Sequence, residues 1–416
     1  MTVGHGRGAI LGDTAANILE WNGYQVEREY YYNDAGRQMR VLGESLRARY
    51  LEELGLEHTF PEGGYEGEYI REIAGDLVDT QADALKSEQD TAVFTVAAEQ
   101  AIFKDINGTL EQLGVVFDNY FNERDLYDSG SLDKVIAALE SKGLVYRKDD
   151  ATWLKASELG REDDRVLIKN TGEPTYRLPD IAYHVNKLDR DFDLVVDFFG
   201  ADHKETYPDV LAGLQGLGYN TDAVRVLIHQ FVTLTQGGQQ VKMSTRKATF
   251  ITLDELMDEV GRDVVRYFFL MRGMDTHLNF DLDLAKKSSD ENPVFYLQYA
   301  HARMVNIAVR AESFGYTFKL ETAPLELLTL PEERELMHLL WWFPQVIRQT
   351  CQTLEPMTIA NYLQEIATAY HRYYTVARVV TEDEPLSQAR LALTAACRLT
   401  MANGLTLLGI NAPERM

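Results

Sequence analysis

A change of pattern near residue 292 constrains this chain more than any other feature. Before it, short strand-like runs alternate with helical periodicity, and after it strand signals vanish. Residues 192–199, apolar but for Asp193 and Asp197 and closed by Gly200, predict a parallel strand buried on both faces. Further strand candidates lie at 26–32, 145–157, 165–168, 175–178 and 224–234. Between them, helical spacing covers 4–21, with Asn22-Gly23 as its stop, then 37–54 and 253–271. Pro179 opens another helix, and Thr252 with Glu255 three residues on forms a capping-box pattern. Strands alternating with helices predict an α/β domain with a parallel, doubly wound sheet. Residues 55–143 carry helical periodicity, the loop Pro61-Glu62-Gly63-Gly64 and no alternating run, which marks a helical insertion at about 56–145. Amphipathic stretches at 296–314, 332–354 and 359–380 predict an all-α bundle. The division expected is 1–285 for the α/β domain and 286–416 for the bundle.

Composition narrows the function classes. A formal charge of −24 argues against a general basic coat for nucleic acid, so a nucleic-acid partner must meet local basic patches. With Cys351 and Cys397 alone, the chain lacks both a disulfide framework and four thiolates for structural zinc. No apolar run reaches the roughly 20 residues of a membrane span, and a soluble, cytoplasmic protein is expected.

Two segments carry phosphate chemistry. Gly4-His5-Gly6-Arg7-Gly8 opens a helix with three glycines, which lets backbone N–H groups and the positive helix end approach an anion. His5 and Arg7 are expected to add charge-assisted contacts. A cap is the simpler explanation of glycines at a helix start taken alone. The second segment, Gly237-Gly238 followed by Lys242-Met243-Ser244-Thr245-Arg246-Lys247, sets three cations within six residues behind a glycine pair. Alone it equally describes a solvated basic hairpin.

Together the two segments resemble the signatures of class I aminoacyl-tRNA synthetases, His-x-Gly-His and Lys-Met-Ser-Lys-Ser. Thr2 stands in place of the first histidine, and Thr245-Arg246 replaces the second Lys-Ser. Within that class, four further stretches are similar to arginyl-tRNA synthetases: 29–38 (EYYYNDAGRQ), 175–183 (TYRLPDIAY), 295–303 (FYLQYAHAR) and the terminal 408–416 (LGINAPERM). The resemblance covers nearly the whole chain. It implies a Rossmann-like, HUP-type catalytic domain with a helical insertion, followed by an anticodon-binding bundle.

The implied activity is ATP-dependent ligation of L-arginine to tRNA(Arg) through arginyl-adenylate, with tRNA bound even for the first step. His5 and Lys242 become the catalytic pair. Gly4, His5, Gly6, Gly200, Asp202, Lys242, Met243, Ser244 and Arg246 are assigned to ATP with Mg²⁺, and no zinc or other protein-held metal is expected. Asp34, Tyr176, Asp180 and His203 are assigned to arginine. Asp180 offers a charge-assisted acceptor and Tyr176 an aromatic wall, as a guanidinium requires. Tyr296, Gln298, Tyr299, His301 and Arg303 mix aromatic and polar groups suited to unpaired bases, and are assigned to tRNA. A monomer is expected. The alternatives are a cysteinyl enzyme, disfavoured by the cysteine count, and a catalytically silent tRNA-binding fragment or paralogue. In the family, a first strand and an N-terminal domain precede the His-x-Gly-His turn, so the chain as written is expected to be truncated, with an exposed sheet edge and poor stability or activity.

Overall fold

The computed structural model describes residues 1–241, 251–317 and 320–416. Helix α1 (Val3–Trp21) starts at Thr2, whose hydroxyl accepts from His5 N at 3.4 Å and so caps the first turn. Small residues let it lie close to its neighbours: a Cβ on Gly6 would stand 2.7 Å from Leu253, and one on Gly12 would stand 3.5 Å from Phe198. Strand β1 (Glu29–Tyr32) is shorter than expected. Helices α2 (Gly36–Glu53), α3 (Glu68–Gln81) and α4 (Ala92–Leu113) then pack into a layer around Leu46, Tyr50, Ile70 and Phe94.

The stretch expected to be wholly helical contributes a strand. Strand β2 (Asn119–Asn122) pairs parallel with β1 in the register Glu29 to Asn119 through Tyr32 to Asn122. Four residues are too few to display alternation, and the pairing partner lies about 90 positions away, so the local pattern is silent. The short α5 (Glu123–Asp128) and α6 (Ser131–Ser141) follow. Strands β3 (Val145–Lys148), β4 (Ala151–Leu154) and β5 (Arg165–Ile168) form an antiparallel sheet.

Residues 175–178 are not a strand. Thr175 turns its amide to Leu167 O at 2.8 Å and its hydroxyl to Val166 O at 2.8 Å, which ends extended pairing and starts α7 (Arg177–Leu188). Strand β6 (Val195–Gly200), α8 (Tyr207–Leu217) and β7 (Val224–His229) complete a parallel pair in which Gly200 lies opposite His229. The expected strand 224–234 is broken at Gln230, whose N–H bonds to Met274 O at 2.9 Å and whose carbonyl is taken by Arg7. Beyond the break, β8 (Val232–Gln236) and the two-residue β9 (Gln239–Gln240) join another sheet. The single helix expected at 253–271 is two, α9 (Leu253–Val260) and α10 (Arg262–Leu270), divided at Gly261 with φ 85°. The capping box at Thr252 and Glu255 is present, with bonds of 3.1 and 2.7 Å. Strand β10 (Leu278–Asp281) pairs parallel with β8, and α11 (Leu282–Ala285) closes the α/β part. Parallel pairing is thus divided among three strand pairs, β1–β2, β6–β7 and β8–β10.

The bundle consists of α12 (Pro293–Ser313), α13 (Pro331–Thr353), α14 (Met357–Val376) and α15 (Glu384–Leu407). One apolar core runs from Ile10 and Leu11 of α1 through Phe268 of α10 to Leu363 and Leu405 of the bundle. Arg266 pins the parts together: its guanidinium donates to Asp13 of α1 at 2.6 Å, to Leu113 O at the end of α4 at 3.1 Å, and to Leu408 O at 3.0 Å. Gly409, at φ 68°, leaves the space that this guanidinium fills. Breaking such a buried pair costs about 3–5 kcal/mol.

Candidate active site

Strands β1 and β6 and helix α1 along their length, with Glu123 just beyond β2 and His229 at the end of β7, line one cleft of about 2750 Å³. Its α1 end is lined by Gly4, His5, Gly8, Gly200, Asp202 and His229. Its α7 end is lined by Tyr31, Glu123, Tyr176, Asp180 and Tyr183, with His203 alongside. Ligand sites at the carboxyl ends of parallel strands are the rule for open α/β sheets.

At the α1 end, His5 stays open to solvent on one side. Desolvation by the cleft wall lowers its imidazole below the ordinary histidine value, and Asp202 pulls weakly the other way. His229, at the end of β7, is buried and likewise lowered, first by desolvation. A Cβ on Gly8 would come within 3.1 Å of its Nε2, so this glycine makes room for the ring. Gly200 has the same function for Asp202, whose Oδ1 lies 2.6 Å from where a Cβ would stand.

Two expected phosphate contacts are committed elsewhere. Arg7 is fully buried and donates to Gln230 O, Thr276 O and Gly273 O at 2.7, 3.3 and 3.1 Å. Gly6 is buried against Leu253 and lies outside the cleft lining. The second signature, with Lys242, Met243, Ser244, Arg246 and Lys247, lies outside the described residues. Its border does reach the site: Thr252 bridges to Thr2, Leu253 N donates to Met1 O at 3.0 Å, and Thr252 and Asp254 line the cleft.

At the α7 end, Asp180 is in the first turn of α7 and burial raises its carboxyl, with His184, His203 and Lys187 opposing. Tyr176 is 69% exposed at the mouth. His203 stacks on Phe199 with ring centroids 4.9 Å apart, and its Nε2 lies 3.9 Å from Asp202. Asp34 departs from expectation. It is buried outside the cleft lining, where its carboxylate accepts from Asn122 Nδ2 and Arg124 N, both at 2.9 Å. Those two residues flank Glu123, so Asp34 fixes the turn that presents Glu123 to the cleft.

Glu123 is the principal residue that sequence reasoning missed. It is 6% exposed, and burial pushes its carboxyl up to about 7, helped by the negative charges of Asp180 and Asp34. Tyr31 hydrogen-bonds to it, and burial with these carboxylates keeps the Tyr31 hydroxyl protonated far above the ordinary range. Tyr183 donates to Glu29 at 2.6 Å, and Arg190 grips the same carboxylate with bonds of 2.8 and 2.9 Å. Burial alone would raise Glu29, but these donors outweigh it and lower the group. Glu29 is therefore satisfied internally, whereas Glu123 and Asp180 face the cleft without an arginine or lysine in hydrogen-bonding contact among the described residues.

The five residues assigned to tRNA split between two faces of α12. Tyr296, Tyr299 and Arg303 look toward α14: Tyr296 meets the His371 ring edge-on at 4.7 Å, and the Arg303 guanidinium lies 4.6 Å from the Tyr299 ring and 4.9 Å from Tyr374. Burial and Arg303 push His371 down to about 4. Gln298 and His301 look the other way. Gln298 donates to Asp263 at 2.8 Å and to Asn411 O at 3.1 Å, while His301 is 3% exposed and bonds to Pro413 O at 2.9 Å. These two hold the chain terminus, and helical spacing explains why they leave the aromatic face.

The family described as tRNA synthetases class I (R), catalytic domain, matches residues 1–267, and the DALR anticodon binding domain matches residues 297–416. An arginine–tRNA ligase of Desulfotalea psychrophila is 54% identical over 417 residues, covering 100% of this chain and 76% of its own length. A crystal structure assigned to an arginyl-tRNA synthetase of Campylobacter jejuni superposes with a TM-score of 0.91 at 30% identity, over 100% of this chain and 91% of that one. The Thermus thermophilus arginyl-tRNA synthetase shares the fold with a TM-score of 0.78 at 24% identity, over 100% of this chain and 80% of that one.

Proposed function

The chain belongs to the arginyl-tRNA synthetases, which ligate arginine to tRNA at the expense of ATP, and we propose how its cleft divides that work. Asp180 and Glu123 take the substrate guanidinium, with Tyr176 closing over it. The α1 end, with Gly4, His5, Gly200, Asp202 and His229, takes ATP. One observation carries this reading: a single cleft joins two desolvated carboxyls at one end to the imidazoles of His5, at the start of α1, and His229, at the end of β7, at the other.

In this arrangement the arginine carboxylate attacks the α-phosphorus of ATP in line, and pyrophosphate leaves. His5 and, from the second signature, Lys242 oppose the charge that develops on the leaving phosphates. The terminal ribose 2′-hydroxyl of tRNA(Arg) then takes the arginyl group and releases AMP. Mg²⁺ travels with the triphosphate, whose oxygens are its natural ligands. Among the described residues, no three His, Cys, Asp or Glu side chains gather as a metal site. The aromatic face of Tyr296, Tyr299 and Arg303 meets the tRNA. We further take the cytoplasm as its location and the monomer as its working form. No helix among the described residues is long and apolar enough to cross a membrane.

Arginine-dependent ATP–pyrophosphate exchange, measured with and without tRNA, tests the reading. Exchange is expected with arginine alone among the amino acids. Exchange driven by cysteine would overturn the substrate assignment, and a folded enzyme that binds tRNA with no exchange would point to the silent binder.

A further inference from the structure

Behind Asp180 lies a buried polar unit that the reaction described above does not use. Asp180, His184 and Lys187 occupy positions i, i+4 and i+7 of α7 and so share one face of the helix. His184 and Lys187 are 4% and 6% exposed. The His184 Nδ1 lies 2.7 Å from Asp180 O, its Nε2 lies 2.9 Å from Asp197 Oδ2, and Lys187 Nζ donates to Asp197 Oδ1 at 2.5 Å. Lys187 also sits 4.3 Å from the Tyr183 ring centroid.

The contacts tie α7 to β6. A carbonyl oxygen only accepts, so Nδ1 carries a hydrogen. Burial would raise Asp197, but Lys187 and His184 outweigh it and hold this carboxyl well below the ordinary range, so Asp197 is an acceptor too. The His184 Nε2 lies between Asp197 Oδ2 at 2.9 Å and Lys187 Nζ at 3.4 Å, so the ring is held by both neighbours. Lys187 and His184 share the α7 face of Asp180 and oppose the burial that raises its carboxyl. Among the described residues, no lysine or histidine opposes the burial of Glu123.

We propose that His184, Lys187 and Asp197 are positioning residues that direct the Asp180 carboxylate into the cleft and oppose its neutralisation there. The bonds to β6 fix the rotation of α7 about its axis. Lys187 and His184 oppose the desolvation that raises the Asp180 carboxyl. The inference rests on the reading of Asp180 as the guanidinium acceptor.

The test measures the KM for arginine, the KM for ATP and kcat in the exchange reaction, with tRNA present, for His184→Gln, Lys187→Gln and Asp180→Asn. His184→Gln is expected to raise the arginine KM about tenfold and leave kcat and the ATP KM within about twofold. Lys187→Gln, expected at about threefold, gives the same readout should His184→Gln fail to fold. Each change is repeated on the Asp180→Asn background, where it is expected to add nothing to the arginine KM. An undiminished effect on that background, or a fall in kcat together with a rise in both KM values, overturns the positioning role. If Asp180→Asn raises the arginine KM while the other variants leave it unmoved, the inference fails alone. If Asp180→Asn leaves the arginine KM unmoved, the pocket assignment fails first.

Discussion

The two ends of the cleft are electrical opposites that burial treats alike. At the α7 end it drives the carboxyls of Glu123 and Asp180 toward their neutral forms. At the α1 end it drives the imidazoles of His5 and His229 toward theirs. Desolvation penalises charge of either sign. Each end therefore holds less charge when empty than its ligand calls for, and each ligand brings the missing counter-charge, a guanidinium at one end and a triphosphate at the other. The ends differ in support. Asp180 is backed by His184 and Lys187, whereas His5 has no comparable buried unit behind it among the described residues.

The largest expected effect separates the ends outright. Asp180→Asn leaves a buried guanidinium without its carboxylate, so kcat/KM for arginine should fall by about 2–5 kcal/mol, roughly thirtyfold to several thousandfold. The ATP KM should barely change. Equal damage to both substrates would erase the distinction. Next in size is His5→Asn, expected to slow exchange by about a hundredfold, the loss typical of one electrostatic donor to a developing charge. Its arginine KM should stay near that of the unaltered enzyme, and a large rise would move His5 to the other end of the cleft.

The α1 end and the α7 end were also unequally legible in the sequence. Gly4 and His5 sit in one short turn, and Tyr176 and Asp180 sit four residues apart, so local patterns were enough to find them. Glu123 escaped because it reaches the cleft through β2, a four-residue strand whose partner β1 is remote in the chain. Asp34 was misassigned for the complementary reason. Its turn looked open to substrate, but its acceptors are filled by Asn122 and Arg124, which no local pattern ties to it. Arg7 shared a motif with His5 yet points through the helix to three carbonyls. The helices of the bundle were readable from periodicity, but which residues of α12 face solvent was not. Gln298 and His301 are claimed by Asn411 and Pro413, more than a hundred positions away.

The gentlest test of the comparison is pH. Glu123 stands at about 7 against an ordinary 4.5, and a guanidinium favours its ionised form. Arginine binding should therefore strengthen as pH rises toward 7, with the KM climbing by up to about tenfold for each unit below it. For folding the sign is reversed. A raised carboxyl contributes stability that is full below 4.5 and lost as pH rises through about 7. The imidazoles of the α1 end are lowered below 6.5, so their positive charge appears only on acidification, and ATP binding should strengthen as pH falls. The two KM values are thus expected to move in opposite directions over one pH series. Glu123→Gln should raise the arginine KM and flatten its pH dependence while leaving the ATP curve in place. If the arginine slope survives in that variant, its source is another group, and the pairing of Glu123 with the substrate cation must be withdrawn.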